Sequence, residues 1–122
     1  MSNIDPAVFA KLKAILQPYA GKLVIVHDLA DHFYLDTRFV MKNNKPLFFG
    51  AVKVTKRYVS FHLMPVYVSP ELLKDMSEGL RKRMQGKSCF NFTSVDDALF
   101  SELATLTEKG WEAYSEAGYL AS

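Results

Sequence analysis

Residues 23 to 68 alternate with a period of two, and this pattern constrains the fold more than any other feature of the chain. The segment is rich in aromatic and β-branched residues, which is typical of strands because successive strand side chains point to opposite faces. The connections at 42–45 (KNNK) and 55–57 (TKR) are short and polar, so consecutive strands should pair antiparallel. We predict strands near Leu23–His27, His32–Val40, Pro46–Val54 and Tyr58–Val68.

A first helix is predicted to begin at Asp5-Pro6. Aspartate accepts hydrogen bonds from first-turn amides, and proline at the first helical position has no amide hydrogen to leave unpaired. Pro18 and Gly21 end this helix. Its apolar residues recur at helical spacing: Phe9, Leu12, Ile15, Leu16 and Tyr19.

Two further helices are predicted in the second half of the chain. One begins at Ser69-Pro70 and ends at Gly86, a residue type typical of helix ends, after a run of cations at 81–83 that complements the helix dipole. A short strand over 88–92 (SCFNF) follows, and Ser94 then caps a final helix with Asp97 as its capping-box partner. The first of these helices has apolar residues at intervals of four: Leu72, Met76, Leu80 and Met84.

The predicted element order is therefore α-β-β-β-β-α-β-α. Strands grouped together, with helices elsewhere, indicate an α+β fold in which helices pack on one face of an antiparallel sheet of about five strands. The 122 residues contain no repeat and no linker, so we predict one domain over residues 1–122.

Composition narrows the class of protein. Hydrophobic residues make up 49% of the chain and the net charge is only +2, which is typical of a globular protein and indicates no nucleic-acid partner. The one cysteine excludes an intramolecular disulfide. The N-terminal segment does not resemble a signal peptide, and no apolar stretch approaches the ~20 residues that span a bilayer. We expect a soluble cytoplasmic protein without a membrane partner.

The letters Gly86-Lys87-Ser88 also end the phosphate-binding loop of many nucleotide hydrolases. That loop needs a glycine five residues before Gly86, where this chain has Arg81, and it runs from a strand into a helix. The order predicted here is the reverse, from a helix into a strand. The segment therefore predicts a helix end and not a nucleotide site.

Strand alternation also predicts which side chains share a face of the sheet. Val59, Phe61 and Leu63 should face the helices, together with Phe33, Leu35, Phe90 and Phe92. The opposite face mixes aromatic, hydroxyl, imidazole, thiol and guanidinium groups, which is how ligand sites are lined. We call it the helix-free face, and its candidate ligand-binding residues are Tyr34, Asp36, Arg38, Tyr58, Ser60, His62, Cys89 and Asn91, with Met64 beside them.

Each candidate residue also has a structural interpretation. His62, between Phe61 and Leu63, could be a hydrogen-bonded structural histidine, and Cys89 a small buried side chain. A nucleophilic arrangement of Cys89, His62 and Asp36 would need all three on one face. His27, Asp31 and His32 are close in sequence, but the two histidines flank a predicted turn and lack zinc-like spacing, so we assign no metal, no cofactor and no catalytic residue.

Two segments carry a family resemblance: YVSFHLMPVY (58–67) and RMQGKSCFNF (83–92). The chain resembles the YdhG-like domain-of-unknown-function family of the YdhG/YjbR/CyaY-like superfamily. This resemblance implies a small α+β domain, and some relatives are described as frataxin-like iron chaperones that hold iron with acidic residues on the first helix. Here that helix has Lys11 and Lys13 and no carboxylate between Asp5 and Lys22, so we assign no iron ligand.

We therefore expect a non-enzymatic binding domain that uses the helix-free face for a small molecule or peptide. The alternatives are frataxin-like iron handling, as the resemblance implies, and an enzyme with Cys89 as nucleophile. A homodimer through a sheet edge or a helix face is a further partner that the pattern allows.

Overall fold

The computed structural model describes residues 4–120 and shows an α+β fold, as predicted. One antiparallel sheet and four α-helices make up this part of the chain. Short 3-10 helices occupy Gln17–Lys22 and Pro70–Leu73. The main elements are α1 Pro6–Leu16, β1 Val24–Leu29, β2 His32–Val40, β3 Pro46–Val54, β4 Val59–Leu63, α2 Met64–Val68, α3 Glu78–Arg81, β5 Met84–Gln85, β6 Cys89–Phe92 and α4 Asp97–Glu116.

The sheet has six strands in the order β1-β2-β3-β4-β6-β5, one more than the five or so predicted. Every neighbouring pair is antiparallel. The first four strands form the predicted meander, and β6 returns to lie beside β4. β1 and the two-residue β5 are the edges.

The helices pack on one face of this sheet, and the prediction of that face is confirmed. Their buried residues include Leu12 and Leu16 of α1 and Leu103 of α4, which belong to the same core as the strand side chains. Tyr114 of α4 is also buried, and its hydroxyl donates a 2.8 Å hydrogen bond to the Phe48 carbonyl oxygen. The strand residues predicted to face the helices are all buried: Phe33, Leu35, Val59, Phe61, Leu63, Phe90 and Phe92.

The two long helices begin with aspartate caps. The Asp5 carboxylate accepts a 2.9 Å hydrogen bond from the Ala7 amide, as predicted. The predicted Ser94 cap is wrong, because α4 begins two residues later and the Asp96 carboxylate accepts a 3.0 Å hydrogen bond from the Leu99 amide. Asp97 lies in the first helical turn, where its negative charge interacts favourably with the positive end of the helix dipole.

The predicted strand Tyr58–Val68 is wrong beyond Leu63. Residues 64–68 form α2, and Pro65 lies in its first turn. Proline has no amide hydrogen to donate to a β-ladder, and the first turn of a helix tolerates it. Apolar residues on both sides of the junction made the sequence pattern look continuous.

The single helix predicted from Ser69 to Gly86 is also wrong. The segment divides into a 3-10 helix, the short α3 and the strand β5. Ser77 caps α3, and its hydroxyl donates a 2.5 Å hydrogen bond to the Glu102 carboxylate of α4. The four apolar residues at intervals of four all pack on the core, but from separate elements. Gly86 has a φ of +76°, and it joins β5 to β6 instead of ending a helix.

No helix within residues 4–120 combines the length and apolarity needed to cross a membrane.

The contact between α4 and α2 depends on Gly110. A Cβ atom added there would lie 2.8 Å from the Pro65 Cβ and 3.1 Å from its Cγ. We predict that Gly110→Ala lowers the free energy of unfolding by about 1–2 kcal/mol, because overpacking outweighs the helix propensity gained. Urea denaturation measures this. Gly21→Ala, whose added Cβ would meet nothing within 4 Å, is the control and should stay within about 0.5 kcal/mol of the parent chain.

Candidate binding face

Strand pairing aligns a row of side chains across the helix-free face. His62 of β4 lies opposite Ala51 of β3 on one side and opposite Cys89 of β6 on the other. The row continues to Tyr34 of β2 and to Gln85 of β5. Directly opposed residues in antiparallel strands share a face, so these five side chains lie on the same surface.

A second row lies beside the first. Ser60 pairs with Lys53 and with Asn91, and Lys53 pairs with His32. The structure therefore places Ser60, His62, Cys89 and Asn91 together, as the sequence predicts.

Hydrogen bonds join the polar side chains of the two rows. The Asn91 Oδ1 accepts from the Ser60 hydroxyl at 2.9 Å and from the Cys89 thiol at 3.4 Å. The Asn91 Nδ2 donates to the Gln85 Oε1 at 2.6 Å. The Cys89 Sγ lies 3.7 Å from the His62 Nε2. We call Ser60, His62, Gln85, Cys89 and Asn91 the polar network.

The network has donors that these hydrogen bonds do not use. The Asn91 amide has a second N–H, and the Gln85 amide nitrogen has two. The contact between His62 and Cys89 uses the Nε2 of the imidazole and leaves its Nδ1 for another partner. Because the network is only partly buried, these groups can meet a ligand from solvent.

Two aromatic rings lie on the same face, and Ala51 separates one of them, Tyr34, from His62 in the first row. The rings of Tyr34 and Phe48 stack with centroids 4.6 Å apart and planes 24° apart, and we call them the aromatic pair. A register shift between Leu35 and Asp36 brings Phe48 opposite Asp36. Stacked rings offer a flat apolar surface beside the hydrogen-bonding groups.

Two histidines extend this surface toward β1. The His27 and His32 rings stack at 4.8 Å, and each meets the Tyr34 ring edge-on, at 5.9 and 5.8 Å. The predicted turn begins later than expected, because His27 lies within β1 and His32 begins β2. All three histidines of the chain therefore belong to the helix-free face.

Burial and nearby charges lower the pKa of two of these imidazoles, His32 and His62. Burial lowers the pKa of His62, and the charges of His32 and Lys53 lower it further. The pKa of His32 is lowered by burial and then by His27 and Lys53, with Asp31 acting in the opposite direction. Burial also raises the pKa of the Asp36 carboxyl.

The same environment leaves the Cys89 thiol unactivated. Burial raises its pKa, and the Ser60 hydroxyl offsets only part of that rise. The nucleophilic arrangement considered above also needs Asp36. This residue lies on β2, opposite Phe48 of β3, and the residue that contacts Cys89 is Asn91. The raised thiol pKa and the lowered imidazole pKa both disfavour a thiolate–imidazolium pair.

Two candidate residues lie away from the polar network. Tyr58 precedes β4, where its carbonyl oxygen accepts from the Thr55 amide at 2.8 Å. Arg38, near the end of β2, lines a cavity with Lys22 and Tyr119. Met64 is the first residue of α2 and not a strand residue.

Other cavities lie beside the helices. One of about 520 Å³ is lined by residues of α2, the Pro70–Leu73 helix and the β5–β6 hairpin, including Tyr67 and Lys87. Another of about 300 Å³ lies between residues 72–80 and α4. Neither includes a member of the polar network. Within residues 4–120, no group of three or more His, Cys, Asp or Glu side chains is placed to hold a metal ion.

Comparisons with known proteins add no relative: no family model matches the chain, and neither curated proteins nor solved structures show a significant similarity to it. Membership of the YdhG-like family stays a prediction.

Sequence reasoning missed Gln85 and Phe48. The apolar residues at intervals of four predicted a helix through Met84, so Gln85 was not assigned to a strand. A glycine such as Gly86 between two short strands is typical of a hairpin. Phe48 sits between Leu47 and Phe49, so alternation alone did not say which aromatic ring turns away from the helices.

The lowered histidine pKa values predict an acid-sensitive fold. Below the ordinary histidine pKa of 6.5, the unfolded chain binds more protons at His32 and His62 than the folded chain does. The free energy of unfolding should therefore fall as the pH is lowered from about 7.5 to 5.5. Urea denaturation across this range checks it, and the double variant His32→Gln/His62→Gln should give a flatter profile. An equally steep profile in that variant would contradict the assignment.

The raised pKa of Cys89 predicts that its thiol reacts slowly with alkylating reagents. At about pH 7.5 the folded chain should react with iodoacetamide more slowly than the same chain unfolded in urea, because alkylation needs the thiolate. Mass spectrometry of timed samples measures both rates. A faster reaction in the folded state would contradict this prediction and would support Cys89 as a nucleophile.

Proposed function

We propose that this chain is a binding domain that holds a flat small molecule or an extended peptide on its helix-free face. The observation that carries the proposal is that the aromatic pair and the polar network lie on one face of the sheet, with Tyr34, Ala51 and His62 in one row. The proposal does not depend on membership of the YdhG-like family.

The chemistry of the face favours a particular kind of ligand. The aromatic pair suits a planar or apolar group, and the amides of Gln85 and Asn91 suit ligand carbonyl or amide groups placed at its side. The helix-free face of the sheet suits a ligand that lies across the strands better than one that needs full enclosure. Peptide groups and aromatic amides both combine these features.

The electrostatics disfavour catalysis by Cys89. An activated cysteine needs a lowered thiol pKa, usually from a nearby cation. Here burial raises the Cys89 pKa, and burial lowers the pKa of the neighbouring His62, so the ion pair of a cysteine enzyme is disfavoured in both partners. The polar network is better suited to recognition through hydrogen bonds.

Aromatic amides such as benzamide and nicotinamide are suitable first probes, because each joins a planar ring to an amide. We expect dissociation constants on the order of 1 mM by saturation-transfer NMR. Gln85→Ala should weaken binding about fivefold, because one hydrogen bond contributes about 1 kcal/mol. Tyr34→Leu should weaken it by removing the stacking surface.

Matched controls are available for both variants. Gln17→Ala changes an exposed glutamine that follows α1, and Tyr67→Leu changes an exposed tyrosine of α2. Neither should alter binding. Equal losses in the control variants, or no saturable binding of any probe, would contradict the proposal.

A further inference from the structure

β1 has a free edge. Among residues 4–120 it pairs with β2 only, and it is the first strand in the sheet order. A strand in that position leaves backbone N–H and C=O groups along its outer side ready to pair with another strand.

The side chains of β1 do not protect this edge. All six residues of the strand are exposed, and it contains neither lysine nor proline, the residues that commonly block edge pairing. Its only negative charge is Asp28, which forms a 2.8 Å ion pair with Lys13 of α1. Four of its residues are large and apolar, with exposed fractions of 43% for Val24, 49% for Ile25, 44% for Val26 and 56% for Leu29.

The order of charges along residues 22–31 favours a second copy of this chain as the partner of the β1 edge. Lys22 precedes β1 and Asp31 follows it, both side chains are exposed, and neither takes part in the salt bridges found within residues 4–120. In an antiparallel pair of two such segments, the basic start of each lies beside the acidic end of the other. Pairing about the middle of β1, between Val26 and His27, would set Lys22 opposite Asp31 of the second copy.

We propose that two copies of this chain associate through their β1 edges, antiparallel and about a two-fold axis. Such an interface is isologous, so β1 meets the same strand of the second copy, with Val24 opposite Leu29, and the contact between Lys22 and Asp31 occurs twice. The two sheets join into one of twelve strands. The helix-free faces become continuous, with the His27 and His32 pairs of both copies near the centre. This inference does not rest on the proposed function.

Sedimentation equilibrium of the full chain tests the association. A six-residue edge makes a small interface, so we expect a monomer–dimer equilibrium with a dissociation constant on the order of 10–100 µM. The mass should rise from 13.8 kDa toward twice that value as the protein concentration increases. A monomer at every concentration up to about 500 µM would overturn the proposal.

Variants locate the interface. Val24→Lys/Val26→Lys should abolish the dimer, whereas Val68→Lys, which changes an equally exposed valine on α2, should leave it intact. Circular dichroism and urea midpoints check that each variant is folded. A dimer that survives the β1 change would overturn the proposal, and so would loss of the dimer in Val68→Lys alone.

Charge reversal tests the antiparallel arrangement. Lys22→Glu or Asp31→Lys alone should weaken the dimer about tenfold, because each reverses two symmetry-related contacts. The combined variant Lys22→Glu/Asp31→Lys should restore it. Failure of the combined variant to restore association would contradict the two-fold arrangement.

Discussion

The structure depends on the register of β4 between β3 and β6. This pairing sets Phe61 opposite Val52 and Phe90, all of them buried against the helices. Because strand side chains alternate, the same register turns His62 and Cys89 to the other face. A one-residue slip would expose the aromatic core and bury the imidazole and the thiol. Burial on the helix side therefore determines where the polar network lies.

The network in turn gives the helix-free face its chemical character. Asn91 joins Ser60, Cys89 and Gln85 through hydrogen bonds, which holds the side chains of β4, β5 and β6 in fixed relative positions. Fixed donors beside a stacked aromatic surface lose little side-chain entropy on binding, which favours recognition. The lowered pKa of His62 suits the same role, because it favours the neutral imidazole, which can both donate and accept.

Sequence reasoning was most successful where burial decides the outcome. The α+β class, the four-strand meander and the burial of Phe61 and Phe90 all follow from period-two alternation against one apolar layer. It failed where one apolar pattern serves several elements. Leu72, Met76, Leu80 and Met84 have helical spacing, yet they pack on the core from a 3-10 helix, a turn, a short helix and a strand. The register shift that places Phe48 opposite Asp36 depends on tertiary packing that no local pattern reports.

The central claim is that ligands bind on the helix-free face and not in the cavities beside the helices. Two-dimensional ¹H–¹⁵N NMR of the labelled chain, recorded with a pooled fragment library, tests it most directly. The account predicts that chemical-shift changes concentrate at Tyr34, Ser60, His62, Gln85 and Asn91, including the side-chain amides of the last two. Changes concentrated at Val66, Tyr67, Leu73 and Lys87 would contradict it, because they would place binding in the groove beside α2.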